Sequence, residues 1–175
     1  MGRLVSDKGV EDLLKSIAIL KDRGLRPFCT IIGDGPEKDK LISFIHENNI
    51  EGLITLKGFM TGKSLASEIN AHKVMVIPSK WPEPFGIVIL EGLACGCKVV
   101  CSSDGGLPEA SNGFGFLYPN NDVRALAERI KEVLSSGPYE KNEVDRINSY
   151  LSTRTVVAIS DQYVRIFLND HARKV

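Results

Sequence analysis

Two glutamates bound the stretch Glu83-Pro-Phe-Gly-Ile-Val-Ile-Leu-Glu91. Glu83 lies in a proline-containing loop, and Glu91 falls within an apolar run with the pattern of a helix. Burying an unpaired carboxylate is costly, so Glu91 must reach water or a partner rich in hydrogen-bond donors. The hydroxyl groups of a sugar or a ribose are such donors. Alternatively, Glu91 lies on the solvent side of an amphipathic helix, and the spacing alone leaves both interpretations open.

A second candidate site is the turn that contains Gly9, which Arg3 and Lys8 flank just before a helical pattern. A helix N-terminus offers free amide groups and the positive end of its dipole. With a planar guanidinium and a compact ammonium added, such a turn suits a diphosphate. Because exposed arginine and lysine are common, the pair is also compatible with an ordinary solvated surface.

Three glycine-containing loops could bring a ligand close to the backbone. Gly33-Asp34-Gly35 resembles part of a dinucleotide fingerprint, but Lys38 stands where that pattern requires its third glycine. We therefore interpret it as a tight turn that lets the backbone approach a ligand. Gly86 would do the same at the first amides of the helix that carries Glu91, and Gly105-Gly106 offers another approach without side chains.

Short apolar strands and helices alternate along the chain and must position these loops. Strict alternation implies parallel βαβ units, so we expect an α/β, Rossmann-like three-layer αβα fold with a six-stranded, mostly parallel sheet and a helical C-terminal tail. Ligands bind beyond the carboxyl ends of such strands, where the candidate loops fall. The predicted strands are 2–5, 28–32, 53–56, 74–77, 98–101 and 115–118, and the predicted helices begin near residues 10, 36, 64, 86, 122 and 139.

Composition excludes several classes of protein. The chain has 175 residues, which suits one domain with a core, and 22 basic residues balance 22 acidic ones, so a nucleic-acid partner is not predicted. Its four cysteines lack the spacing of a zinc site and are interpreted as small, reduced core residues. No membrane span or signal peptide is predicted. The predicted location is the cytoplasm, with the inner membrane face left open for the full-length protein.

Taken together, these stretches resemble the C-terminal donor-binding domain of a GT-B fold retaining glycosyltransferase of family 4. The resemblance runs from Gly2 to about Leu134 with the stretches in the family's order. Gly92 and Cys97 replace the alanine and proline usual in the family. The matching stretches are residues 2–9, 33–36, 57–59, 78–79, 83–86, 90–97 and 105–109.

The resemblance implies a role for each matched residue. Arg3 and Lys8 would grip the donor diphosphate, and Glu83 would contact the transferred sugar. These three form the predicted catalytic group. Glu91 would hold the ribose hydroxyls, and the loop 57–60 would hold the base, largely through its backbone. The other predicted donor-binding residues are Gly33, Gly35, Lys57, Phe59, Ser79, Phe85, Gly86, Ile87 and Leu90.

The implied reaction moves a sugar from a nucleotide diphosphate donor to an acceptor hydroxyl with retention at the anomeric carbon. The expected partners are a UDP-sugar or GDP-sugar donor and an acceptor sugar, for which a lipid-linked form is one option. Surface polysaccharide or glycan biosynthesis is the predicted setting. The sequence has no D-x-D motif of the kind that binds a metal in many transferases, so neither a metal nor another cofactor is predicted.

The resemblance also predicts how the domains are organised. Residues 1–137 would form the donor-binding domain and residues 138–175 a helical tail packed on it, while the acceptor-binding domain lies outside this chain. We therefore expect the chain to fold and bind nucleotide weakly but to transfer little sugar alone. Apolar residues of the tail should be partly exposed, namely Val156, Val157, Ile159, Tyr163, Ile166 and Phe167.

Two other functions share this α/β layout and remain open. The first is a nucleotide-sugar binding module without activity, against which the intact residues Arg3, Lys8, Glu83 and Glu91 argue. The second is a dinucleotide-dependent oxidoreductase domain, against which the absence of a complete G-x-G-x-x-G motif argues.

Overall fold

The structure, a computed structural model, describes residues 1–172. The chain divides into two compact units, Met1–Pro138 and a second that begins at Tyr139. In the first unit strands alternate with helices, and the predicted α/β Rossmann-like class is confirmed. Its strands are β1 (Cys29–Ile31), β2 (Ile54–Leu56), β3 (Val74–Ile77), β4 (Lys98–Ser102) and β5 (Gly115–Tyr118). Its helices are α1 (Val10–Asp22), α2 (Lys38–Glu47), α3 (Gly62–Asn70), α4 (Ile87–Ala94), α5 (Leu107–Ser111) and α6 (Val123–Ser135).

The described strands form two hydrogen-bonded sets instead of one continuous sheet. β1 pairs with β2 in parallel, with Cys29 opposite Ile54. The second set has the order β3-β4-β5, again parallel, with Val74 opposite Lys98. The candidate loops that follow β1, β2, β3 and β4 leave the carboxyl ends of strands, as the sequence predicts, whereas the turn that contains Lys8 follows no described strand.

The prediction of six strands is wrong by one, because residues 2–5 form no strand. Gly2 N donates to Ile32 O and Leu4 N donates to Asp34 O, both at 2.9 Å. The segment therefore runs beside the chain that has just left β1. A short 3-10 turn begins at Ser6, so this contact ends before a ladder can form.

Helix α1 begins at Val10, in agreement with the predicted start near residue 10, and has no side-chain cap. Gly9 is its N-cap residue and adopts a φ of 64°. The Asp7 carbonyl in the preceding turn accepts hydrogen bonds from the amides of Lys80 (2.8 Å) and Trp81 (3.2 Å). Helix α6 does have a side-chain cap, because Asp122 accepts a hydrogen bond from Ala125 N at 2.9 Å.

The core of the first unit lies where α1, α2 and α6 cover the strands. Leu14, Leu20, Val100 and Leu126 are fully buried there. Burial raises the pKa of the Cys97 thiol to about 11 and that of Cys101 to about 12. These thiols therefore stay protonated at neutral pH, which fits the interpretation as core residues.

The second unit consists of α7 (Lys141–Ser152) and α8 (Val156–Ala172). A reciprocal capping box between Glu140 and Glu143 starts α7. The predicted exposure of apolar residues in the tail is confirmed. Val156, Val157, Tyr163, Ile166 and Phe167 are exposed, and Ile159 is half-buried.

Within residues 1–172, no helix combines the length and the apolar character needed to cross a bilayer. The same part of the chain contains no group of three or more His, Cys, Asp or Glu side chains placed to hold a metal ion. Independence from metal stays a prediction.

Candidate functional site

The Glu83 carboxylate is held by two donors from different segments. Lys8 Nζ lies 2.5 Å from Glu83 Oε1, and Ser79 Oγ lies 2.9 Å from the same oxygen. Ser79 is 1% exposed and also contacts the Asp7 carbonyl at 3.2 Å. The Glu83 side chain is 15% exposed. The second oxygen, Oε2, has no hydrogen-bond partner among the described residues, so it can accept one from a ligand.

The loop after β3 is fixed on the turn before α1, which is why residues so far apart in sequence meet. The Asp7 carbonyl anchors this loop from one side, and Asn120 Nδ2 donates to Lys80 O at 3.0 Å from the other. Ser102 Oγ donates to Ser79 O at 2.8 Å and ties the loop to β4. The Lys80 side chain adds an ion pair of 3.0 Å with Asp12, whose side chain is 8% exposed. Glu83 is thus presented by a well-anchored loop.

Gly105 and Gly106 support this loop by close packing. A Cβ atom on Gly105 would lie 2.6 Å from Glu83 O, and one on Gly106 would lie 2.4 Å from Pro84 O. Gly106 N also donates to Glu83 O at 2.7 Å. The sequence predicted that a ligand approaches the backbone at this position. The structure instead shows that side chains at Gly105 and Gly106 would collide with the backbone of Glu83 and Pro84.

Gly33 and Gly35 have a similar reason to lack a side chain. A Cβ atom would lie 1.7 Å from Gly2 O at Gly33 and 2.4 Å from Leu4 O at Gly35. The turn at Gly33 to Gly35 therefore packs directly against the backbone of residues 2–4, which includes Arg3. The donor-binding role of the two glycines stays a prediction, and the packing against residues 2–4 offers no support for a dinucleotide site.

Arg3, Lys8, Ser79 and Glu83 line one cavity. Arg3 is exposed, and its guanidinium has no partner among the described residues. Burial lowers the pKa of the Met1 amino group in this cavity, and the charges of Glu91 and Lys8 act on it in opposite directions. The structure thus brings Arg3, Lys8 and Glu83 together on the lining of one cavity.

Glu91 lies on the second turn of α4 and is exposed, with no partner in the described part of the chain. The carboxylate thus reaches water, and its position also leaves it accessible to hydroxyl groups. Gly86 caps α4 with a φ of 98° and without a side-chain hydrogen bond. The amides of Ile87 and Val88 at this N-terminus have no described partner, and Ile87 is 66% exposed. An anion could approach these amides directly.

The loop after β2 holds Lys57 and Phe59. Lys57 Nζ pairs with Glu68 at 2.6 Å, and Phe59 is 80% exposed. Gly33 N donates to Gly58 O at 2.7 Å and joins this loop to the one after β1. The remaining predicted donor-binding residues, apart from Ser79, do not line the cavity that contains Glu83: Gly33, Gly35, Lys57, Phe59, Phe85, Gly86, Ile87, Leu90 and Glu91.

Comparison with known proteins identifies the family. The family model described as glycosyl transferases group 1 matches residues 1–150. This chain belongs to the glycosyl transferases group 1 family. It is 35% identical over 139 residues to an uncharacterised glycosyltransferase of Methanocaldococcus jannaschii, covering 77% of this chain and 35% of that protein. It is 36% identical over 136 residues to the alpha-D-kanosaminyltransferase of Streptomyces kanamyceticus, covering 77% and 35%.

A solved structure supports the fold. Anabaena HepE in complex with UDP-glucose aligns with a TM-score of 0.75 at 24% identity, over 97% of this chain and 48% of HepE. The chain therefore corresponds to about half of that protein, and it spans about a third of the length of the two curated relatives. At this identity the likeness to HepE is evidence for the fold alone.

Proposed function

We propose that this chain binds a nucleotide diphosphate sugar and forms the donor-binding half of a retaining, metal-independent glycosyltransferase. The observation that carries the proposal is the placement of Arg3, Lys8 and Glu83 on the lining of one cavity, with Lys8 paired to Glu83. Family membership and a fold neighbour solved with UDP-glucose support the same chemistry. The assignment to family 4 is part of this proposal.

The donor diphosphate would bind Arg3 and Lys8. An ammonium has three N–H donors, so Lys8 can keep its bond to Glu83 and give two others to phosphate oxygens. Arg3 adds a planar fork with no competing partner among the described residues. As the glycosidic bond breaks, the leaving diphosphate gains charge, which these cations and the N-terminus of α4 would stabilise most in the transition state. Such an arrangement can replace a metal ion.

Glu83 would hold the transferred sugar. Oε1 is occupied by Lys8 and Ser79, which leaves Oε2 to accept a hydrogen bond from a sugar hydroxyl. A carboxylate paired with a lysine is a weak nucleophile, so we favour a front-face route in which a donor phosphate oxygen takes the acceptor proton. Double displacement through Glu83 is the competing route. Trapping a glycosyl adduct on Glu83 would establish the double-displacement route.

The rest of the donor would extend toward Glu91 and the loop after β2. The exposed Glu91 carboxylate would accept hydrogen bonds from the ribose hydroxyls, and residues 57–60 would hold the base of a UDP-sugar or GDP-sugar. The acceptor sugar, with a lipid-linked form as one option, would bind a domain outside this chain. We place the whole enzyme in the cytoplasm or at the inner membrane face, in surface polysaccharide or glycan biosynthesis.

Calorimetric titration tests the proposal. In the presence of EDTA, UDP, GDP and their sugars are titrated into this chain, with NAD as the comparison for an oxidoreductase. We expect a uridine or guanosine diphosphate to bind and NAD not to bind. Lys8→Ala and Arg3→Ala should each weaken the nucleotide by about tenfold or more, the scale of losing a charged hydrogen bond. Lys63→Ala, an exposed lysine on α3, is the matched control.

Failure of every nucleotide diphosphate to bind would overturn the proposal, as would unchanged affinity in both variants. In a full-length enzyme that carries this domain, either variant should lower turnover by about a hundredfold, the scale of losing one oxyanion-type donor. Robust sugar transfer by this chain alone would contradict the assignment of half an active site to it.

A further inference from the structure

Two ion pairs connect the start of α1 to the loop after β3. Lys8 pairs with Glu83 at 2.5 Å, and Lys80 pairs with Asp12 at 3.0 Å. Each pair joins a lysine of one segment to a carboxylate of the other. Among the described residues, neither lysine pairs with the carboxylate of its own segment, although both are nearby in the sequence. The pairing is therefore crossed between the two segments.

Asp12 depends on the ammonium of Lys80 for its charge balance. Its side chain is 8% exposed, and the other ammonium near it among the described residues, that of Lys15, lies 4.0 Å away. A buried carboxylate whose cation is removed is left with an uncompensated charge, which is strongly unfavourable. Asp12 therefore holds the Lys80 ammonium firmly.

The Lys80 side chain starts beside Glu83. Lys80 follows Ser79, whose Oγ lies 2.9 Å from Glu83 Oε1. The Lys80 amide donates to Asp7 O at 2.8 Å, so the backbone holds this starting point in place. From there a flexible stem carries an ammonium with three N–H donors. Glu83 Oε2, which has no hydrogen-bond partner among the described residues, is an acceptor for which such an ammonium can compete.

The observed pairs keep one lysine at the candidate cavity and the other away from it. Lys8 and Glu83 line the cavity with Arg3, whereas neither Lys80 nor Asp12 lines it. A second ammonium on Glu83 would occupy the oxygen that the proposed function assigns to a sugar hydroxyl. The position of Lys80 therefore bears on whether Glu83 can bind a sugar.

We propose that Asp12 is a positioning residue for donor binding. By holding the Lys80 ammonium, it keeps this cation off Glu83 and leaves Glu83 Oε2 open to a sugar hydroxyl. Asp12 itself touches neither the donor nor the reacting atoms and acts only through Lys80. The inference rests on the proposed role of Glu83, and it adds a residue that determines whether the sugar part of the donor is recognised.

The expected consequence is confined to the sugar. The diphosphate is assigned to Arg3 and Lys8, whereas the sugar is assigned to Glu83. Loss of the Asp12 carboxylate should therefore weaken UDP-glucose and leave UDP nearly unchanged. A general loosening of α1, by contrast, would weaken both ligands, because the turn that contains Lys8 leads directly into this helix.

Four variants of the full chain test the inference by calorimetric titration with UDP and with UDP-glucose. Asp12→Ala removes the carboxylate and supplies a good helix former. Lys80→Met keeps the apolar stem without the charge, and Asp12→Ala/Lys80→Met combines both changes. Asp22→Ala, which replaces an exposed aspartate of the same helix without a described partner, is the matched control. Asp12→Asn serves in place of Asp12→Ala if circular dichroism shows that variant to be unfolded.

We expect Asp12→Ala to lower the affinity for UDP-glucose by about tenfold or more, the scale of losing a charged hydrogen bond, and to change that for UDP by less than about threefold. The double variant should recover the affinity ratio of the unaltered chain, because no second ammonium is left to occupy Glu83. Lys80→Met and the control should keep that ratio. Equal weakening of both ligands in Asp12→Ala would overturn the inference, as would a double variant that binds UDP-glucose no better than Asp12→Ala does.

Carbodiimide cross-linking adds a readout that does not require a nucleotide. It joins a lysine to a carboxylate in contact with it, and mass spectrometry of the digested chain identifies the pair. The unaltered chain should yield the Lys8–Glu83 and Lys80–Asp12 links, and Asp12→Ala should yield a new Lys80–Glu83 link. Absence of this new link would overturn the inference. If the unaltered chain binds neither ligand, the proposed function fails, and the cross-link alone decides whether Asp12 controls the partner of Glu83.

Discussion

At the scale of single residues, Gly9 has no room for a side chain beside the loop that presents Glu83. Its φ is 64°, and a Cβ atom there would lie 1.9 Å from the Pro78 carbonyl oxygen. That carbonyl belongs to the anchored loop that presents Glu83, so the collision cannot be relieved by turning a flexible side chain.

Gly9→Ala should therefore lower the free energy of unfolding by about 3 kcal/mol, the upper range for a strained residue, and urea denaturation measures it. Gly24→Ala is the matched control, since Gly24 also has a positive φ, 84°, but nothing lies within 4 Å of its Cβ position. The control should lose only about 1 kcal/mol, the cost of a left-handed backbone. Equal losses in both variants would contradict the close-packing explanation.

The residue types pointed to Arg3, Lys8 and Glu83 as candidates, because the two cations flank a turn before a predicted helix and Glu83 lies in a loop after a predicted strand. Their roles came from the family resemblance. The support given by Ser79 could not be predicted. It was expected to touch the donor, whereas the structure shows it buried between the Asp7 carbonyl and Glu83. That contact depends on tertiary packing between distant segments, for which local sequence carries no signal.

At the scale of elements, α6 depends on a side-chain cap. Asp122 accepts the Ala125 amide, which would otherwise be an unpaired donor of the first turn. Asp122→Ala should lower the free energy of unfolding by about 1 kcal/mol, measured in urea. Asp161→Ala on α8, an exposed aspartate without a described partner, should change it by less than about 0.5 kcal/mol. A smaller effect at Asp122 than at Asp161 would exclude the capping role.

The Glu11 carboxylate on α1 forms ion pairs with Lys15 on the same helix and with Lys40 on α2, and these pairs lower its pKa. Hydrogen bonds from Lys15 on α1 and then from Lys40 on α2 lower the pKa of Glu11 from 4.5 to about 2. A folded-state pKa below the unfolded value stabilises the protein above pH 4.5, and this contribution is lost as the pH falls toward 2.

Glu11→Gln should thus cost about 1 kcal/mol at pH 7, allowing for solvent screening, and the difference from the unaltered chain should shrink steadily as the pH falls from 4.5 through 2. Urea denaturation across this pH range is the measurement. Glu47→Gln, which removes an exposed carboxylate without a described partner, should shift stability equally little at all pH values. A difference at Glu11 that is as large at pH 2 as at pH 7 would argue against the ion pairs as its source.

Periodicity located most elements because long apolar stripes and compact apolar strands carry strong signals. The strands at Val74–Ile77 and Gly115–Tyr118 have the predicted bounds. Helix α5, Leu107–Ser111, was missed because five residues are too few to show a helical period. The predicted strand at residues 2–5 was wrong because its short apolar pattern does not reveal that a turn ends it at Ser6.

At the scale of the whole molecule, the alternation of strands and helices was sufficient to predict an α/β class. It could not predict that the strands divide into two sets, because a gap between β1 and β3 is a property of pairing in space. The exposed apolar side chains of α8 were predicted from the family resemblance, because their sequence pattern alone resembles that of an ordinary packed helix.

The chain contains a single tryptophan, and the fold places it beside the candidate site. Trp81 is 56% exposed, while its backbone is fixed by the Asp7 carbonyl two residues before Glu83. Its fluorescence is therefore an intrinsic optical reporter of this loop, free of background from other indoles. Titrating UDP-glucose should shift or quench the emission in a saturable way, and in Lys8→Ala the midpoint should move to higher concentration. An emission spectrum that does not change at saturating nucleotide would mean that the ligand does not contact this loop.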